Sequence, residues 1–159
     1  MKEKRVLLTE EPDVLLKRYG SDILASERFQ SMKAYNHHRN SNTYSHSVAV
    51  AIRAIQFCQI KKWKVDPEVL IRASLLHDYY LYNHRTAERI AFHLFRHPFV
   101  AIKNARRDFG ITDEMANVMR THMWPINPFL FPTSKEGIAL SKADKFVSFQ
   151  ERFPKKEKK

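Results

Sequence analysis

The segment LLHDYY, residues 75–80, carries a histidine and an aspartate side by side out of the most apolar run of the chain. Charge buried there is costly unless it is paired or holds a metal. Helical register turns further polar groups inward, because residues three, four and seven apart share a helix face. His46 aligns with Val50, Ala54 and Phe57, and His77 with Leu70, Ala73 and Ser74. His122 aligns with Met115, Val118 and Met119, and Asp144 with Gly137, Leu140 and Val147. A lone inward imidazole is usually a satisfied core residue. Four separate helices, each aiming an imidazole or carboxylate inward, make a shared cation the economical solution. Nitrogen and carboxylate donors without thiolate suit Mn, Fe, Co, Ni or catalytic Zn and disfavour a structural zinc site. Successive helical residues are about 100° apart, so His77 and Asp78 reach one centre only if it lies near the end of their helix.

The remaining histidines of the eight divide by context. His97 stands apart, beside Pro98 at what reads as a helix start. His37 and His38 fall in the polar loop HHRNSNT and read as exposed, with Arg39 next to them a conjectural pocket residue. His84 follows an aromatic run and is placed at a pocket rim. His93 reads as a helix-face residue, and Tyr79, Tyr80 and Tyr82 as packing over the core.

The elements that must position these groups read as helices. Residues 21–35 fit a helix with Ser21 as N-cap and Ile23, Leu24, Phe29 and Met32 as its apolar positions. Residues 43–58 are apolar nearly all round, which marks a buried central helix. Asp66-Pro67 is a helix start, with aspartate as cap and proline at the first helical position. His97-Pro98 reads as a second such start, for a helix stopping near Phe109-Gly110. Thr112 caps the next helix, and Thr133 to Glu136 (TSKE) match a capping box for a last one reaching about Phe149. The stretch MWPINPFLFP, residues 123–132, holds three prolines and reads as a loop over a pocket. With only three glycines in 159 residues, a Gly-rich phosphate loop and a turn-rich all-β fold are both disfavoured. The expectation is an all-α, single-domain helical bundle of six or seven helices.

Composition bounds the function. A chain with 43% apolar and 28% charged residues is of ordinary globular type. The single cysteine, Cys58, excludes an internal disulfide framework and points to a reducing compartment. No apolar run approaches the ~18 residues that span a bilayer, and the start lacks a signal-peptide core, so a cytoplasmic location is expected. The 28 Lys and Arg against 17 Asp and Glu give a net charge of +11 that favours anionic partners. Part of that excess sits in the basic tail at 154–159.

The ordered set His46, His77-Asp78, a distal histidine and Asp144 resembles the HD-domain superfamily of metal-dependent phosphohydrolases. The contexts YSHSVAVA, LLHDYY and LSKADKFVS carry the resemblance, which covers about residues 40–150 of a domain spanning 1–159. The resemblance implies a helical bundle of the HD-domain type. Two extra histidines between the HD pair and the last aspartate mark its two-metal branch, and His97 and His122 occupy those places. It implies metal ligands His46, His77, Asp78, His97, His122 and Asp144, with Asp78 bridging and with Asp78 and His77 central to catalysis. Similar bacterial HD proteins hydrolyse diadenosine tetraphosphate; the absence of a GYP motif argues against the cyclic-di-GMP branch.

Two metal ions of unassigned identity would polarise a phosphoryl oxygen and lower the pKa of a water. The expected substrate is a small phosphoester or phosphoanhydride, with nucleotides as its class. A helix start at His97 would add a positive dipole end. Arg96, Lys103 and Lys142 are candidate phosphate contacts; Lys145 is undecided, and Arg106 and Arg107 read as a solvated basic face. Two other readings stand beside this one. The same ligand set serves di-iron oxygenases of the HD type, and a basic helical module with structural metals could bind nucleic acid.

Overall fold

The computed structural model describes residues 4–38, 40–83 and 90–155, with side chains in the last stretch from residue 93 onward. Arg39, His84 and the end of the basic tail, considered above, lie outside the described residues. In chain order the elements are β1 (Val6–Leu7), α1 (Pro12–Ala25), α2 (Glu27–Gln30), a 3-10 turn (Ser31–Ala34) and α3 (Thr43–Lys61). β2 (Lys64–Val65), α4 (Pro67–Leu76), α5 (Ile90–Phe109), α6 (Asp113–Arg120) and α7 (Lys135–Arg152) follow. The fold is all-α. The two short strands pair antiparallel, Val6 opposite Val65 and Leu7 opposite Lys64, and pin the N-terminal segment beside the entry to α4.

α4 lies at the centre, packed on α1, α3 and α6, while α3 also packs along α7. Its residues Leu70, Ile71, Leu75 and Leu76 are fully buried, with Ile55, Met119 and Leu140 from the helices around them. α1 approaches closely because Gly20 faces α4. A Cβ there would stand 2.6 Å from Leu75 Cδ1. Asp66 caps α4 as expected, its Oδ1 accepting from the amides of Glu68 and Val69. Thr112 likewise caps α6, and Gly110 ends α5 in the left-handed region at φ 57°.

Three expectations are corrected. The helix placed at 21–35 is three pieces: the end of α1, α2 and the 3-10 turn. α1 begins at Pro12, with Ser21 in its interior, and the extended backbone of Ser26 breaks it before α2. Pro12 opens α1 by the same proline start that Pro67 gives α4. Pro98 does not open a helix either, because α5 already runs from Ile90 and passes through it. The cost is one lost backbone hydrogen bond, offset by burial of His97 and Ala101 on the inner face. The last cap is Ser134 rather than Thr133, and no reciprocal box forms. Glu136 Oε1 instead accepts from the Asp66 amide at 2.8 Å and from Arg5 Nε at 3.3 Å, joining the starts of α7 and α4. The 123–132 segment is irregular as expected, with Met123 and Ile126 on the wall of a cavity. No described helix is long and apolar enough to cross a membrane.

Candidate metal centre

Each inward group arrives from a different element. His46 sits in the first turns of α3 and Asp144 midway along α7, and both are buried. His77 is the C-cap of α4 and Asp78 follows it, so the pair leaves the helix end toward one point, as their adjacency requires. Asn104 of α5 donates to the carbonyls of Tyr79 and Tyr80, fixing the backbone just beyond the pair. The chain then turns away through Leu81 at φ 59°, a conformation that costs a non-glycine residue roughly 1 kcal/mol. His97 projects from the middle of α5, and His122 from the turn after α6.

These donors form two overlapping sets. His46, His77, Asp78 and Asp144 each offer one atom within 4.8 Å of the others, and so do Asp78, His97 and His122. In the first set His46 Nε2 lies 3.0 Å from Asp144 Oδ1 and 3.6 Å from Asp78 Oδ2. His77 Nε2 lies 3.3 Å from Asp78 Oδ2 and 3.5 Å from Asp144 Oδ1. In the second, Asp78 Oδ1 lies 3.2 Å from His97 Nε2 and 3.7 Å from His122 Nε2. Neighbouring donors bound to one ion at about 2.1 Å stand about 3.0–3.4 Å apart in octahedral or tetrahedral geometry, close to this spacing.

Ring orientation gives an independent test of that fit. The Nδ1 of His77, His97 and His122 faces the backbone carbonyl of Ser74 (2.7 Å), His93 (3.0 Å) and Met119 (2.6 Å) respectively. A carbonyl only accepts, so each Nδ1 carries the hydrogen and each Nε2 lone pair is turned to the centre. This is the arrangement by which proteins orient metal-binding histidines. Its consequence is that lone pairs face lone pairs. His97 Nε2 and His122 Nε2 stand 3.0 Å apart, and the buried His77 Nε2 has no hydrogen-bond partner while facing two carboxylates. Only a proton or a metal cation placed among them relieves that repulsion, so the donor set fits a cation.

The electrostatics agree. Burial disfavours the His77 imidazolium, yet the adjacent Asp78 and Asp144 carboxylates reverse the sign and hold its pKa well above the ordinary value. Burial likewise disfavours ionised Asp78 and Asp144, but the surrounding imidazoles keep both far below the usual carboxylate range. His122 is pushed down to about 3 by burial and by the charges of His77 and His97, so it stays neutral and available as a donor.

Three residues at this centre were not anticipated. His37 is inward, not exposed. It stacks on His46 with ring centroids 3.7 Å apart, its Nε2 3.2 Å from Asp78 Oδ2 and its Nδ1 3.3 Å from Glu151 Oε2. Glu151 reaches His46 Nδ1 at 3.0 Å, and the half-buried His38 Nε2 lies 3.9 Å from the same carboxylate. Burial opposes charge on His37, but Asp78 and Glu151 raise its pKa to about 9. Burial and the neighbouring His37 charge lower that of His38 to about 4. Glu151 falls two turns after Asp144 on the same face of α7, a register that could have flagged it. No helical spacing reaches His37 and His38, since a loop delivers them.

The centre forms the floor of a cavity of about 520 Å³. Its wall includes Tyr80 and His93, so neither is a plain packing residue, whereas Tyr79 is core and donates its hydroxyl to Asp108 at 2.9 Å. Leu94, Ile126, Phe149 and Phe153, all exposed, form an apolar mouth. The candidate phosphate contacts are not brought here. Arg96 and Lys103 lie on the exposed side of α5, and Lys142 faces a separate depression with Arg53 and Phe57. α7 turns Lys145 and Arg152 toward the cavity instead, because they lie one and eight residues after Asp144. Lys145 Nζ donates to the His122 carbonyl at 2.8 Å and to both Ser141 oxygens, bracing the turn that carries His122. Burial lowers its pKa.

Compared with known proteins, the chain finds no match among curated proteins and none among solved structures. Residues 43–148 match the HD domain, a family generally of metal-dependent hydrolases, and that segment runs from the first residue of α3 to Ser148, one turn past Asp144. The helical bundle and the His/Asp cluster agree with that match: the chain belongs to the HD-domain family.

Proposed function

We infer that the chain is a metal-dependent phosphohydrolase with a two-metal centre, acting on a small phosphoester or phosphoanhydride of the nucleotide class. One observation carries this reading. The two oxygens of a single carboxylate, Asp78, face two different nitrogen sets: Oδ2 faces His46 and His77, and Oδ1 faces His97 and His122. That suits a bridge between two ions, with His46, His77 and Asp144 completing one site and His97 and His122 the other. When bound, such a pair polarises a phosphoryl oxygen and makes a water acidic enough to attack at neutral pH. The chain's own residues supply the rest. Asp78 sets the two sites side by side, and His77, on the α4 end, fixes the first against the core. Lys145 holds the His122 turn at its place, and apolar side chains line the mouth above the floor. Arg152 stands at that mouth, exposed and with no ion pair among the described residues, and suits a second anionic group of the substrate.

The reading is tested by inorganic phosphate release from a panel of nucleotides and simple phosphoesters. Turnover is expected only with added Mn, Fe, Co or Ni, is abolished by chelator, and is lost in His77→Ala and Asp78→Ala proteins. Retained turnover in either variant overturns it. Oxygen consumption by the iron-loaded protein would instead mark the oxygenase reading.

A further inference from the structure

His37 and Glu151 both lie outside the segment that matches the HD domain, residues 43–148, so that match assigns them no role. Their placement follows from a local problem at His46. The other three imidazoles at the centre anchor Nδ1 on a backbone carbonyl. At His46 the carbonyl one turn back, that of Asn42, already accepts twice, from the His46 amide and the Ser45 hydroxyl. The His46 Nδ1 faces Glu151 instead, with Oε1 at 3.2 Å and Oε2 at 3.0 Å.

His37 then locks that carboxylate. Its loop is closed on itself, the His37 amide donating to the Ser41 carbonyl and the Ser41 amide to the His38 carbonyl. The Thr43 amide and hydroxyl both donate to the Tyr35 carbonyl, which ties the loop to the first turn of α3. From this clip the His37 ring lies flat on His46, 18° from parallel, with one nitrogen on Glu151 and the other on Asp78. His46 is thereby left with no exposed surface.

We propose that Glu151 and His37 are positioning residues of the first metal site: Glu151 fixes His46 with Nε2 toward the ion, and His37 clamps Glu151 against Asp78 and covers the His46 ring. This rests on the metal-binding reading above. Glu151 acts as the carboxylate behind a ligating histidine, a contact worth about 10–100-fold in metal affinity. His37 controls how readily the ion leaves, because the ring that shields His46 also closes that side of the site to water and chelators.

The experiment uses the full chain, stripped of metal and titrated with Mn²⁺ or Zn²⁺ against a chromophoric chelator, with circular dichroism verifying that each variant is folded. Glu151→Ala is expected to weaken one of two equivalents by about 10–100-fold and leave the other unchanged. Glu151→Gln, which keeps an acceptor for His46 Nδ1, recovers part of that loss. His37→Ala keeps both equivalents but releases one of them at least several-fold faster into excess chelator. Unchanged affinities in Glu151→Ala with wild-type release in His37→Ala overturn the proposal. A wild-type chain that takes up no metal overturns the underlying reading instead, so the two failures are distinct.

Discussion

Asp78 is the residue on which the centre turns, since each of its oxygens belongs to a different set of nitrogens. His122 belongs to only one of them and is held neutral, which makes it the sharpest probe of whether a second ion binds. If the two-metal reading holds, elemental analysis should find two metal equivalents in the wild type and one in His122→Ala protein. Phosphate release should fall by more than about 100-fold, because residues that merely orient a ligand are already worth about 10–100-fold. Two retained equivalents would remove His122 from the site. Arg152 makes the opposite kind of prediction. It sits at the mouth, away from the reacting centre, so Arg152→Ala should raise KM several-fold and leave kcat nearly unchanged, the signature of uniform binding. A fall in kcat with constant KM would place it at the transition state. The residues brought together at the floor were legible in the sequence for a physical reason: helical register turns His46, His77 and Asp144 inward, and His122 keeps the inward side although α6 ends two residues before it. His37 was not, because its position depends on how a loop folds back over α3. Arg96, Lys103 and Lys142 lie near the motif residues in sequence, yet none of them lines the cavity.

Among the elements, caps were read well where a short side chain bonds its own helix, as at Asp66 and Thr112, and poorly where tertiary contact overrides the local signal. Pro98 inside α5 is one such case. A proline strongly suggests a helix start, but the inner face carrying His97 and Ala101 keeps the helix continuous through it. Glu136 is the other. Its spacing from Thr133 suits a capping box, yet its carboxylate crosses to the Asp66 amide at 2.8 Å and couples the start of α7 to the helix that ends in His77-Asp78. Glu136→Ala leaves that buried amide without its acceptor, an unmet polar group costing about 1–3 kcal/mol. The expected result is thermal unfolding about 2–12 °C lower, at the roughly 2–4 °C per kcal/mol of a chain this size. The stoichiometry of metal uptake should not change, because Glu136 touches none of the candidate metal ligands. A variant as stable as wild type would show that the crossing bond contributes nothing.

For the whole molecule, the centre joins the ends and middles of elements far apart in the chain: α3, α4, α5, the turn after α6, and α7. Unfolding must therefore dismantle the site, and an ion bound only to the folded state stabilises it by mass action. At free metal 100 times its dissociation constant, the gain is about 2.7 kcal/mol per independent site. For a chain this size, that corresponds to about 5–11 °C in unfolding temperature per ion. The metal-free fold pays a further penalty, because the facing lone pairs of His97 and His122 and the orphaned His77 Nε2 are relieved only by protons. Chelation should accordingly lower the unfolding temperature by at least about 5 °C, and adding back Mn²⁺ or Zn²⁺ should restore it in proportion to the logarithm of free metal. Raising salt should leave this difference nearly intact, since the donors are buried and poorly screened. The nucleic-acid reading predicts something different: binding to DNA or RNA that weakens steeply with salt and persists in Asp78→Ala protein. If stripped and loaded proteins unfold at the same temperature, the cluster is a buried hydrogen-bonded network without a resident ion, and the two-metal reading falls with it.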